Sequence, residues 1–89
     1  MSSPPKGSVR MEVRIELKPG VVDAEAMSVE KSLALLGLRA VPHVTTARVY
    51  DLLFDDVSPP EAQRLSEEAV DRLLANPVIH RVSVRPVPT

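Results

Sequence analysis

Ten residues near the start of the chain alternate without a slip. Val9, Met11, Val13, Ile15 and Leu17 are apolar, and Arg10, Glu12, Arg14, Glu16 and Lys18 between them are charged. A period of two puts the apolar set on one side of an extended backbone, so 9–18 is predicted as a strand with one buried and one wet face. Pro19-Gly20 ends it, because proline lacks a ladder donor and glycine turns freely. The period then changes. Ala26, Val29, Leu33 and Leu36 recur at spacings of three, four and three, which stacks them on one face of a helix. Asp23 stands where an N-cap belongs, Glu25 suits the positive helix end, and Gly37 suits a left-handed C-terminal cap.

Residues 44–57, VTTARVYDLLFDDV, are predicted as one long bent strand. Val49, Tyr50, Leu52, Leu53 and Phe54 break the alternation. Either a bulge shifts the register or both faces are covered, and the second option needs a surface that so small a chain lacks. Ser58-Pro59-Pro60-Glu61 matches a capping box with proline in the first helical turn. Ala62, Leu65, Ala69 and Leu73, with Val70 and Leu74 beside them, form the expected inner stripe. Asn76-Pro77 stops the helix, since proline disfavours helical geometry in the residue before it. The last strand, 78–85, sets Val78, His80, Val82 and Val84 on one face, and Pro86 and Pro88 curb its extension. The order is β-α-β-α-β, an α+β domain with a small antiparallel or mixed sheet and two helices on one face. A hairpin inside 44–57 would add a strand, but the Asn-Gly or Asp-Gly turn signal is missing.

Eighty-nine residues make one small domain, expected over 9–86, with a polar disordered leader at 1–8 and a tail at 87–89. The leader lacks the apolar region of a signal peptide. A chain of this size buries only about 60–65% of its unfolded surface. With 44% hydrophobic residues, it is expected to complete its core by pairing with another chain. A net charge of −1 argues against binding nucleic acid through phosphate neutralisation. The apolar runs are far below a membrane span. With no cysteine, disulfide and thiolate chemistry are excluded.

Few residues suggest chemistry. Gly7, Gly20 and Gly37 are too far apart to form a phosphate loop, and no hydroxyl sits in a nucleophile elbow. His43 and His80 have no partner at metal-ligand spacing. His80 as a general base is weighed against a solvated side chain at a strand start. Asp55-Asp56 resembles a carboxylate pair, yet strand neighbours point to opposite faces, which favours a solvated turn. Glu12 and Glu16 interleave with Arg10, Arg14 and Lys18 and cancel the basic stripe. No catalytic residue, cofactor or metal site is expected. Arg48, Tyr50, His80 and Arg81 are candidate contacts to a partner.

The segments ELKPGVVD, LALLGL, VTTARVYDLLF and LLANPVI together resemble the PurS family, small subunits of phosphoribosylformylglycinamidine (FGAM) synthase. The resemblance covers roughly 9–85, and LLANPVI is its most specific piece. It implies a non-catalytic cytoplasmic subunit of purine biosynthesis that dimerises, and the two-sided apolar stretch 44–57 in so small a chain adds the expectation of a homodimer or dimer of dimers with a sheet extended across the dimer. Such a subunit joins a PurQ-type glutaminase to a PurL-type, ATP-dependent synthetase, so that ammonia from glutamine reaches formylglycinamide ribonucleotide. There are departures. Ala24 and Ala26 stand where the family has Pro and Gly, and Thr45 and Ala47 fall in a run where the family carries an arginine and a glycine. Two other classes remain open. One is a ferredoxin-like regulatory module binding an amino acid or other small ligand near Pro19-Gly20, for which a ligand-shift melting screen discriminates. The other is an acid–base enzyme, for which the spacings supply no cluster.

Overall fold

The computed structural model describes residues 7–38, 40 and 43–88. Residues 1–6 of the leader expected at 1–8 lie outside the described residues, as does Thr89. Strand β1 is Val9–Leu17, helix α1 is Ala24–Leu35, β2 is Ala47–Phe54, α2 is Pro59–Ala69, and β3 is His80–Val87. A π-helical turn, Val70–Leu74, continues α2. The sheet order is β2-β1-β3, with both neighbours antiparallel to β1.

This topology gives the two helices different tasks. β2 leaves the sheet at the end opposite to where β3 begins, so the connection through α2 must run the length of the sheet. α2 packs on β1 and β3 as it does so. β1 and β2 are antiparallel neighbours, with Glu16 opposite Ala47, so the connection through α1 starts and finishes at one sheet end. Nothing forces α1 along the strands. This explains a departure from the helical stripe expected at Ala26, Val29, Leu33 and Leu36. Ala26 is buried, but Val29 is 39% and Leu36 74% exposed.

The core sits between β1 and α2. Met11, Val13 and Ile15 of β1 are buried with Ala62 and Val70, and Tyr50, Leu52, Leu74, Val82 and Val84 pack around them. Ser66 is buried among them and donates its Oγ–H to the Ala62 carbonyl at 2.8 Å, which satisfies a hydroxyl that would otherwise be costly to bury.

β2 pairs with β1 in one continuous register from Val9↔Phe54 to Glu16↔Ala47. There is no bulge, and the strand is shorter than the 44–57 expected. Tyr50, Leu52 and Phe54 therefore share the inner face with Val13, Met11 and Val9. Val49 and Leu53 face outward and remain 46% and 49% exposed. Neither expected alternative holds: no bulge shifts the register, and the outer apolar face is not covered in this chain.

The caps follow the sequence. Asp23 Oδ1 accepts the Ala26 N–H at 2.9 Å. Gly37, at φ 82, donates to the Ala34 carbonyl at 3.0 Å while the Leu38 N–H reaches Leu33 at 2.9 Å, the paired bonds of a Schellman stop. Ser58 Oγ accepts the Glu61 N–H at 3.3 Å. Glu61 turns to Arg64, at 2.6 Å.

Leu73 corrects the expected inner stripe. The Ala75 N–H bonds to the Val70 carbonyl at 3.1 Å, a five-residue step that widens the last turn. The wider turn rotates Leu73 outward to 82% exposure and gives its inner place to Leu74, which packs on the core. An inner Leu73 would cost roughly 2–4 kcal/mol on truncation. In its observed place Leu73→Ala should change stability by no more than about 0.5 kcal/mol, measured by urea unfolding. Val78 is corrected too: it precedes β3 and is 76% exposed.

Candidate partner-binding surface

The candidate contacts collect at the sheet end where β1 finishes and β2 and β3 begin. The helix-to-strand junction there is closed by hydrogen bonds. The Asn76 carbonyl accepts the Ile79 N–H at 3.2 Å and the His80 N–H at 2.9 Å. Asn76 Oδ1 accepts the Val78 N–H at 2.9 Å, and His80 Nδ1 accepts the Asn76 N–H at 2.8 Å. An accepting Nδ1 places the ring proton of neutral His80 on Nε2. Lys18 fastens β1 to the same turn, its backbone N–H to Ile79 at 2.8 Å and its Nζ to the Pro77 carbonyl at 2.6 Å. His80 thus holds the stop that Pro77 begins, and its side chain is part of the turn rather than merely solvated.

Arg48 stands opposite Ile15, on the inner face. Its Nη1 lies 3.5 Å from the Tyr50 hydroxyl, at the limit of a hydrogen bond. Arg48 and His80 line one cavity of about 260 Å³ together with Glu25 at the start of α1 and Leu74. Arg81, one residue beyond His80, faces the other side and lies 3.5 Å from Glu16. The structure therefore gathers Arg48, Tyr50 and His80 on one side of the sheet and puts Arg81 on the other. The outer face carries the expected cancellation, with Arg85 on Glu12 at 2.8 Å and Arg14 on Glu16 at 3.4 Å. Exposed pairs like these contribute little to stability. Asp55 and Asp56 lie exposed in the turn after β2, with Asp55 accepting from Ser8 Oγ at 2.9 Å.

One part of this end was not visible in the sequence. Asp23 has a second task besides its cap: Oδ2 accepts the Thr46 Oγ1–H at 2.7 Å and the Thr46 N–H at 3.2 Å. Glu30 Oε1 accepts the Val44 N–H at 2.7 Å. Two carboxylates of the α1 segment thus hold the backbone leading into β2, and Thr46 sits in the run that departs from the family pattern. Spacing carries no signal for a contact across 23 residues.

The Ala26 amide, and after it the Thr46 hydroxyl, hold the Asp23 carboxyl below its ordinary value of 3.8. A carboxyl depressed on folding contributes stability that is present above its ordinary range and is lost as pH falls through the folded value. The stability of the parent should therefore fall on acidification below 3.8, and Asp23→Asn should flatten that part of the profile. Thermal melts of both proteins across the acid range test this.

Among the described residues, no group of His, Asp and Glu is placed to hold a metal ion, and no helix is long and apolar enough to cross a membrane.

Comparison with known proteins fits this arrangement. Residues 10–88 match the family model PurS, phosphoribosylformylglycinamidine (FGAM) synthase. The FGAM synthase subunit PurS of Archaeoglobus fulgidus is 42% identical over 73 residues, covering 82% of this chain and 91% of that protein. The crystal structure of Methanocaldococcus jannaschii PurS superposes with a TM-score of 0.82 at 30% identity, covering 91% of this chain and 98% of that one. A chain of the PurLQS structure from Thermotoga maritima has the same fold, with a TM-score of 0.81 at 19% identity over 90% of this chain and 98% of that one. With its β-α-β-α-β order intact and nearly the whole length of these relatives spanned, the chain belongs to the PurS family.

Proposed function

We propose that this chain is the small, non-catalytic subunit of a cytoplasmic FGAM synthase in purine biosynthesis. It joins a PurQ-type glutaminase to a PurL-type, ATP-dependent synthetase, and it works as a homodimer or dimer of dimers whose sheet continues through both copies. The observation that carries the reading is the match to PurS over residues 10–88, supported by near full-length relatives named as FGAM synthase subunits.

The physical reason for such a subunit lies in the intermediate. Ammonia released in water is protonated and diluted, so its transfer needs the two active sites held in fixed mutual geometry. A subunit that fixes geometry needs rigid junctions, such as the closed Asn76–His80 turn, and surfaces for partners. Arg48, Tyr50 and His80 form one such surface on the inner side, and Arg81 contributes on the outer. The free edges of β2 and β3 are available to another strand. The regulatory-module reading has no comparable support.

Co-purification from the native host tests the proposal, with the bound chains identified by mass spectrometry. A glutaminase-type and a synthetase-type chain are expected with this subunit. Recovery of the subunit alone under conditions that keep the synthase active would overturn it.

A further inference from the structure

One hydrogen bond in the helix-to-strand junction depends on a proton. Ala75 is already extended, at φ −138 and ψ 151, so the Asn76 N–H has left the helical ladder. The acceptor it finds is not a carbonyl but the ring of His80, with Nδ1 at 2.8 Å. A carbonyl accepts at any pH. An imidazole nitrogen accepts only while it carries no hydrogen, and a protonated ring donates from both nitrogens. Histidine is the side chain whose charge ordinarily changes between about pH 5 and 8.

Protonation sets two donors, Nδ1–H and the Asn76 N–H, against each other. The backbone donor is the fixed partner. The Asn76 carbonyl accepts the Ile79 and His80 N–H groups at 3.2 and 2.9 Å, and Asn76 Oδ1 accepts the Val78 N–H at 2.9 Å. The ring is only half-buried and lines two cavities, so it is the group able to swing away. The charges around it balance. Glu16 comes from β1, Glu25 from α1 and Asp71 from the π-helical turn. Against them stand Lys18 from β1, Arg48 from β2 and Arg81 from its own strand. The contact that separates the two forms of the ring is therefore the one to the Asn76 amide.

We propose that His80 is a proton-operated latch on this junction. Neutral, it closes the stretch between the π-helical turn and β3. Protonated, it lets go of Asn76 and puts a positive charge beside Arg48, which lines the same cavity. The start of β3 then loses one of the bonds that fix its angle to α2. The latch is additional to the joining role and does not rest on it.

Amide hydrogen exchange by NMR tests it on the full chain, over a pH series from about 8 downward through the histidine range. The series continues until the ring-nitrogen resonances show His80 protonated. Each rate is divided by the intrinsic rate at that pH, and the buried Val13 amide of β1 is the reference. As His80 takes up its proton, protection of the Asn76 amide should fall roughly tenfold relative to Val13, the effect of losing one ordinary hydrogen bond. His80→Asn is the control, because its side-chain oxygen accepts as Nδ1 does and does not titrate. That variant should hold its Asn76 protection constant over the same series. A parent whose Asn76 amide stays protected after the ring is protonated overturns the latch. So does a His80→Asn variant that loses protection as the parent does, since another group is then the cause. If the variant fails to fold by circular dichroism, the parent decides alone: protonation and loss of protection in step support the latch, and protonation without loss overturns it.

Discussion

A reconstituted FGAM synthase lacking this chain should make no amidine from glutamine, yet should still make it from a high concentration of ammonium. The proposed role of this chain is to hold the two larger subunits together. Its two resolved carboxylate clasps, Asp23 on Thr46 and Glu30 on Val44, serve the fold. Removing it leaves the synthetase site intact, and free ammonia enters that site from solvent. On the proposed role, glutamine-derived ammonia then loses its guided route, because proximity is what the subunit supplies. Adding the chain back should restore the glutamine rate. Loss of both nitrogen sources together would point to a catalytic part for this chain, and loss of neither would remove it from the reaction.

Met11→Ala should be the most damaging single truncation in the sheet. Met11 is 1% exposed on the central strand, between Leu52 and Pro86. Its loss leaves a cavity that the neighbouring strands are poorly placed to fill, at a cost of about 2–5 kcal/mol. A domain this small has a stability on the order of 5–10 kcal/mol. The variant should therefore unfold at much lower urea, and its midpoint should depend more visibly on protein concentration as self-association becomes the main source of stability. A midpoint within error of the parent would show that Met11 is not in the core.

How far the fold could be read from the chain follows from the range of each interaction. The alternation of Val9 to Lys18 and the caps at Asp23, Gly37 and Ser58 are local, so they were legible. The inner face of β2 was not, because Tyr50 and Val49 are both apolar and only pairing with Val13 and Arg14 assigns them to opposite sides. Leu73 was misread for a different reason. Helical spacing assumes a constant turn, and the wider turn from Val70 to Ala75 breaks that assumption. The stripe on α1 departs from the expectation, with Val29 and Leu36 exposed, since sheet topology, not periodicity, decides whether a helix lies on its own strands. At the candidate partner-binding end, residue type alone marks Arg48 and His80, and folding brings them to one cavity with Glu25. Arg81 was grouped with them, although adjacent strand residues point apart. Thr46 was missed because its partner is distant in sequence.

The proposed role comes down to whether this chain physically joins two larger subunits. Sedimentation velocity of the glutaminase and synthetase subunits, mixed at micromolar concentration under turnover conditions with and without this chain, measures that directly. A single faster species containing all three chains is expected only when this chain is present, with separate slower boundaries in its absence. Association of the two larger subunits to the same extent without it would contradict the joining role.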